Sequence, residues 1–215
     1  MTWRVLLIGG SSGTGKTTVA HALARHYGVS LLLADDIRLA IQQTVTPAQH
    51  PAFHALTTPE AASRLPPEAV REALIAVSEA MAKALAIVIA HHVVVAGVGP
   101  VIIEGDTILP RTAVQRRFPD LRYFSGLVLT EEVRAIFLHE PDEAAILANM
   151  HERGRGFDAL TEAEQQATVR ASWLHGTWLR EQCARYEVPV VLSRPRDTTI
   201  ERALRAIDEA SPHTG

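Results

Sequence analysis

Residues 10–17 read Gly10-Ser11-Ser12-Gly13-Thr14-Gly15-Lys16-Thr17, which fits G-x-x-x-x-G-K-[ST] at every fixed position. Before this stretch, residues 3–8 (WRVLLI) form an apolar run long enough for a buried strand. After it, Val19, Ala22, Leu23 and His26 fall at helical spacing within 18–27. A strand, a glycine-rich loop and a helix together make the context in which this pattern binds phosphate. Gly10, Gly13 and Gly15 let the backbone turn its N–H groups inward. The loop, with Thr14 and Thr18, then forms a nest at a helix N-terminus, where the dipole favours anions. Lys16 is expected to reach the β- and γ-phosphates, and the Thr17 hydroxyl to ligate Mg²⁺. The alternative is an ordinary glycine turn, which explains the glycines but not the Lys-Thr pair. The stretch therefore predicts a nucleoside triphosphate site, with ATP and Mg²⁺ as the expected cofactors.

Working outward, Gly28 is placed to cap the first helix, and residues 29–34 (VSLLLA) read as a second buried strand. That strand runs into Asp35-Asp36-Ile37-Arg38, where another helix begins. Residues 44–67 are rich in Thr, Pro, Ala and His, the composition of loops and short helices. Residues 68–91 show an apolar helical face of Val70, Leu74, Val77, Met81, Leu85 and Val88. Residues 44–92 are thus expected to form a helical insertion covering the substrate at the active end of the sheet. Residues 100–106 (PVIIEGD) read as a strand delivering carboxylates at its C-terminal end, the end at which ligands bind in open parallel sheets. A fourth strand is predicted over 121–129, with Thr130-Glu131-Glu132 starting a helix. Further helices are predicted over 142–151, 161–186 (with a Thr161/Glu164 capping box) and 198–210, and a fifth strand over 188–192. Alternating strands and helices imply parallel pairing with right-handed crossovers. The expected fold is a single α/β domain over 1–215: a three-layer P-loop NTPase with a five-stranded parallel sheet, nucleoside-monophosphate-kinase-like, with a helical insertion and an arginine-bearing lid at 140–160.

The bulk properties narrow the function classes. A chain of 215 residues with 47% hydrophobic and 21% charged residues suits one globular domain with a full core. A net charge of -3 and a pI near 6.4 argue against a general nucleic-acid binder. The single cysteine, Cys183, permits no intrachain disulfide and suggests a reducing compartment. The N-terminal run enters the first strand without a signal-peptide pattern, so a cytoplasmic protein is expected. Residues 84–103 carry no formal charge over 20 positions, enough to span a bilayer. They also hold His91-His92 and Gly97-Val98-Gly99-Pro100, and a buried helix tail, a turn and a core strand explain them better. The expected partner is a small-molecule substrate, with no nucleic acid and no membrane, in a monomer or homodimer.

Phosphoryl transfer asks a protein chiefly to position reactants and to neutralise charge. Glu104, at the end of VIIE, is the favoured carboxylate beside Thr17 for the metal, against a reading in which it merely caps the strand or pairs with an arginine. Asp35 is the candidate base for the acceptor hydroxyl and Asp36 its rival; the favoured assignment has Asp35 facing substrate and Asp36 capping its helix or pairing with Arg38. Arg153 and Arg155, flanked by glycines, are expected to close over the phosphates as a lid, against a reading as solvated surface. Arg194-Pro195 is placed against the adenine. Arg38, Asp106 and Arg111 are nominated for substrate, and Arg116 and Arg117 offer further cations or simply a basic helix face. None of the ten histidines is assigned to a metal.

LIGGSSGTGKTTVAHALARHYGV followed by LLLADDIR resembles the kinase domain of 2-phosphoglycerate kinases, in which a P-loop helix is followed by a strand ending in Thr-Asp-Ser-Ile-Arg. On that resemblance Asp35 takes the family's aspartate and Asp36 replaces its serine. VIIEGDTILP is similar to the family's Ile-Ile-Glu-Gly-Val-His-Leu-Val-Pro, which aligns Glu104, Gly105 and Pro110. Asp106 and Thr107 stand where that family has valine and histidine, a departure beside the expected substrate pocket. The P-loop portion is shared with gluconate, shikimate and adenylate kinases and with chloramphenicol phosphotransferase, so it speaks for ATP use more than for the acceptor. The resemblance implies transfer of the γ-phosphoryl group to a hydroxyl of a phosphorylated hydroxy acid such as 2-phosphoglycerate. A polyol, a sugar acid or an antibiotic alcohol is the second expectation. A regulatory module that binds ATP without transferring phosphate is the rival from another class, and a motor or remodelling ATPase comes last.

Overall fold

Alternate residues of the first strand feed two different cores. In β1 (Val5–Gly10) every residue is buried; Val5 and Leu7 join one cluster and Leu6 and Ile8 the other. Burial on both faces requires a sheet covered by helices on each side. The computed structural model describes residues 3–56, 62, 64–95, 97–115, 132–154 and 156–209. After β1 come α1 (Lys16–Tyr27), β2 (Ser30–Leu33), α2 (Ala34–Thr44), α3 (Pro67–Val94), β3 (Val101–Glu104) and α4 (Pro110–Val114). Then follow β4 (Val133–His139), α5 (Glu143–Arg153), α6 (Glu162–Arg185), β5 (Val190–Leu192) and α7 (Thr199–Glu209). The strands lie in the order β2-β3-β1-β4-β5, and every pairing is parallel. The five-stranded, three-layer α/β/α architecture expected from the sequence is the one observed.

One helical layer is built by α3 and α6, whose Val77, Met81, Leu85, Ile89, Leu179 and Cys183 pack on Val5, Leu7, Ile103 and Phe137. The other comes from α1 and α7, through Val19, Leu23, Ala203 and Ile207 against Leu6, Ile8, Ile102 and Ile136. A smaller cluster of Ile146, Met150, Phe157, Leu160 and Val169 roots α5 and the turn after it onto α6. Caps fall where the residue types call for them. Gly28 ends α1 in the left-handed conformation, and Thr161 and Glu164 form a reciprocal capping box at the start of α6. Helix α3 is long and apolar enough to cross a membrane. Its Met81, Leu85, Ala86, Ile89 and Ala90 are instead buried in the core, which accounts for the uncharged run.

The fourth strand is a correction. The segment after Thr130, read as a helix start, is strand β4, which pairs with β1 from Val5↔Val133 to Gly10↔Leu138. The predicted strand over 121–129 lies outside the described residues. VRAIFLH is a short apolar run, and periodicity alone does not separate a buried strand from a buried helix. The acidic pair before it imitated a helix's first turn. The 44–92 region divides in two: α3 buries one face in the core layer, while Phe53 of the turn Pro51–His54 and Leu74 of α3 border a cleft at the sheet's edge.

Where β3 ends, the chain passes hard against the start of α2. A Cβ on Gly105 would lie 2.6 Å from the Cβ of Ala34, which is itself fully buried. Only glycine allows the two segments this approach. Gly105→Ala is therefore expected to cost about 1–3 kcal/mol through overpacking, measured by urea denaturation. Because the strain falls on the residue before Asp35, activity should drop further than the loss of folded protein explains.

Candidate active site

The sheet register brings the nominated residues to one edge. Glu104 ends β3 opposite Ile8 of β1 on one side and Leu33 of β2 on the other. The phosphate-loop sequence leaves β1 just beyond Ile8, and Asp35 follows Leu33 by two residues. Gly13 and Gly15 adopt φ of 78° and 81°, the left-handed region that glycine enters without strain. The Thr17 hydroxyl donates to Glu104 Oε2 at 3.2 Å, and Lys16 Nζ lies 3.9 Å from Glu104 Oε1. Lys16 also donates to the Ser11 carbonyl at 3.0 Å. Burial raises the Glu104 carboxyl above its ordinary pKa, and the Lys16 ammonium and Thr17 hydroxyl oppose the rise. Thr17 and Glu104 together present hard oxygen donors of the kind Mg²⁺ takes, so the donor set fits that ion. When bound there it would neutralise charge on the phosphate oxygens.

The loop is braced from outside by side chains the sequence did not single out. Ser172 of α6 donates to the Ser12 carbonyl at 2.6 Å, Asn149 of α5 to the Gly13 carbonyl at 2.6 Å, and Ser193 to the Thr14 carbonyl at 2.8 Å. Thr14 Oγ1 takes the Ser11 carbonyl at 2.8 Å. With the three consecutive carbonyls of Ser12, Gly13 and Thr14 held from outside, the trans peptides aim their N–H groups into the cradle. Arg153, at the end of α5, donates from Nη1 to Ser12 Oγ of the loop at 3.1 Å. Arg155, Arg116 and Arg117 lie outside the described residues.

Behind the loop, α6 packs so closely at Gly176 that a Cβ there would meet Ser11 Oγ at 2.6 Å. A glycine inside a long helix was the one available sequence signal for that contact. The neighbouring His175 is 1% exposed and stacks on Trp178. Burial, with a smaller contribution from the Lys16 ammonium, pushes its pKa down to about 3. It therefore stays neutral and adds no charge behind the lysine.

Beside the phosphate loop is a cleft of about 140 Å³ lined by Asp35, Arg38, Asp106 and Thr107 at one end and by Ala52, Phe53, Leu56, Leu74 and Val77. Asp35 faces it, and its pKa is raised, first by the neighbouring Asp106 carboxylate and then by burial, against the pull of Arg38 and Lys16. The Arg38 guanidinium sits 3.6 Å from Asp35 Oδ1. Arg38 thus pairs with Asp35 and not, as expected, with Asp36. The spacing of three residues puts Asp35 and Arg38 on one helix face, while Asp36 is exposed. Nor does Asp36 cap α2, whose N-cap is Leu33 without a side-chain bond. Arg111 pairs with Glu79 of α3 and is not among the residues lining the cleft. Arg194 pairs at 3.2 Å with Glu140, whose carboxylate is buried; Ser193 ties the segment carrying Arg194-Pro195 to the phosphate loop. Thr18 is exposed on α1. Cys183 is buried in α6, which pushes its thiol up to about 12 and leaves it unreactive.

A family model described as AAA domain matches residues 5–173, a span that includes the phosphate loop, Asp35, Glu104 and Arg153. The chain belongs to the AAA domain family. No curated protein matches it by sequence. Among solved structures it is similar to TT1252 from Thermus thermophilus, at 17% identity over 100% of both chains with a TM-score of 0.52. It is also similar to deoxyadenosine kinase from M. mycoides with bound dATP, at 13% identity over 96% of this chain and 100% of that one, with a TM-score of 0.50. At such identities the likeness establishes the fold alone.

Two outcomes follow from the ionisable groups. Asp106 is the largest cause of the raised Asp35 pKa, so Asp106→Asn should move the acid limb of the kcat/KM–pH profile to lower pH; an unmoved limb would assign it to another group. His175 binds its proton near 6.5 when unfolded but only near 3 when folded. Its stabilising contribution is therefore complete above 6.5 and is lost as pH falls from there, by up to about 1.4 kcal/mol per pH unit. His175→Phe should flatten that part of the stability–pH curve measured by denaturant titration.

Proposed function

We propose that the chain is an ATP-dependent kinase that transfers the γ-phosphoryl group of Mg·ATP to a hydroxyl of a small molecule held in the cleft. The observation that supports this most directly is the adjacency of the two halves of the site. Lys16, Thr17 and Glu104 form one connected group, and the Lys16 charge is felt by Asp35, which lines the cleft next to it. In the reaction the acceptor oxygen forms a bond to the γ-phosphorus, the bond from that phosphorus to the leaving ADP oxygen breaks, and the hydroxyl proton passes to Asp35. Raising the carboxyl's pKa makes it a better base at neutral pH. Arg153, already beside the loop, stabilises the transferring group, and Arg155 is the second lid arginine. Arg194-Pro195 is the proposed wall for the adenine.

The resemblance to 2-phosphoglycerate kinases makes a phosphorylated hydroxy acid the first acceptor to assay. The cleft's own side chains favour the second reading, a polyol or antibiotic alcohol, because two carboxylates and one guanidinium line it. A regulatory ATP-binding module needs no such cleft beside its phosphate loop. An ADP-release assay over a metabolite panel separates the classes: a kinase is accelerated by its acceptor, whereas a switch shows slow hydrolysis indifferent to every addition. Lys16→Ala should abolish transfer while the far-ultraviolet circular dichroism stays native. Asp35→Asn should lower kcat by about a hundredfold or more with little change in the calorimetric affinity for Mg·ATP. Full turnover in either variant would move the chemistry elsewhere.

A further inference from the structure

The cleft contains two polar groups that the phosphate chemistry does not use. Asp106 follows β3 by two residues, is half-buried, and has neither an ion-pair nor a hydrogen-bond partner among the described residues. Thr107 is 2% exposed, lines the same cleft, and its Oγ1 finds no hydrogen-bond partner among the described residues. A buried hydroxyl left unpaired costs free energy, so the open polar group at this end of the cleft is the Asp106 carboxylate. Among the described residues the one cation lining the cleft is Arg38, and it is committed to Asp35. The described lining therefore holds one carboxylate more than it holds cations. The rest of the surface is apolar, formed by Phe53, Leu56, Leu74 and Val77. At about 140 Å³ the space takes on the order of ten water-sized groups.

From this juxtaposition we infer that the acceptor is an amino alcohol: a small molecule with an apolar body, a hydroxyl presented to Asp35, and a protonated amine paired with Asp106. The inference rests on the kinase reading above and names the substrate class for that site. An ammonium group beside Asp106 relieves the carboxylate crowding that an anionic acceptor would worsen. A phosphorylated hydroxy acid would bring its own negative charges against Asp35 and Asp106 together, with the one lining guanidinium already engaged. Asp106 stands beside this cleft where the 2-phosphoglycerate kinase pattern has an uncharged valine. The balance of the step is that of the kinase reaction, with the amine remaining protonated throughout and the phosphate monoester leaving with ADP.

The test compares matched acceptors on the full chain. Calorimetry with Mg·ATP comes first: no uptake would sink the kinase reading itself, independently of any acceptor. With uptake established, ADP release is measured with a series of amino alcohols, with their isosteres carrying methyl or hydroxyl in place of the amine, and with hydroxy acids including 2-phosphoglycerate. The amino alcohols should be preferred by about tenfold or more in kcat/KM, as for one charge-assisted pair. Asp106→Asn should collapse that ratio toward one, through KM more than kcat. Thr107→Val, which replaces the unpaired buried hydroxyl with a methyl group, should raise the melting temperature and leave the preference for the amine unchanged. Preference for hydroxy acids, equal use of amine and isostere, or an Asp106→Asn variant that retains the wild-type ratio would each overturn the assignment.

Discussion

Glu104 and Lys16 lie 3.9 Å apart at the edge of the sheet, with side chains only 8% exposed, and neither belongs there alone. Burying one unpaired charge costs several kcal/mol. The pair is made tolerable by further polar partners, Thr17 on the carboxylate and the Ser11 carbonyl on the ammonium. The register places that carboxylate between β1 and β2, so one interaction ties together the strand that leads into the phosphate loop and the strand that leads to Asp35. Gly105 then lets Ala34 pack against the end of β3, and Asp35 is set at the same end of the sheet as the phosphate loop. The geometry of both halves of the site is thus downstream of one buried ion pair.

Much of this was legible in the sequence because it depends on local chemistry. The loop pattern needs particular residue types at fixed spacing, and VIIE announces a buried strand ending on a charge. Capping by Gly28 and by Thr161 with Glu164 is equally local. What was hidden depends on contacts between segments far apart in the chain. Asn149, Ser172 and Ser193 reach loop carbonyls from α5, α6 and the end of β5, and no spacing rule marks a serine for that purpose. The β4 segment was misassigned for a related reason: its partners, β1 and β5, decide its conformation, and its own residues do not. Asp35 and Asp36 could be ranked for the pocket, but Arg38's partner followed from helix geometry and not from adjacency.

The site is electrically divided. On one side stand inward-facing amides, the Lys16 ammonium and the Arg153 guanidinium, all suited to a polyanion. On the other stand Asp35 and Asp106, with Arg38 offsetting one of them. Such a division solves a problem common to phosphoryl transfer, in which the nucleophile must approach a centre surrounded by negative charge. Cations gathered on the nucleotide side neutralise that charge where it resides. In the proposed reaction, carboxylates on the acceptor side would keep a base available and keep the nucleotide's own phosphates from settling in the acceptor's place. An acceptor bearing positive charge fits this division, since it is drawn to the carboxylate end of the cleft and leaves the cationic end to the triphosphate. The same arrangement penalises an anionic acceptor twice, by repulsion from the carboxylates and by competition for the cations that hold the nucleotide.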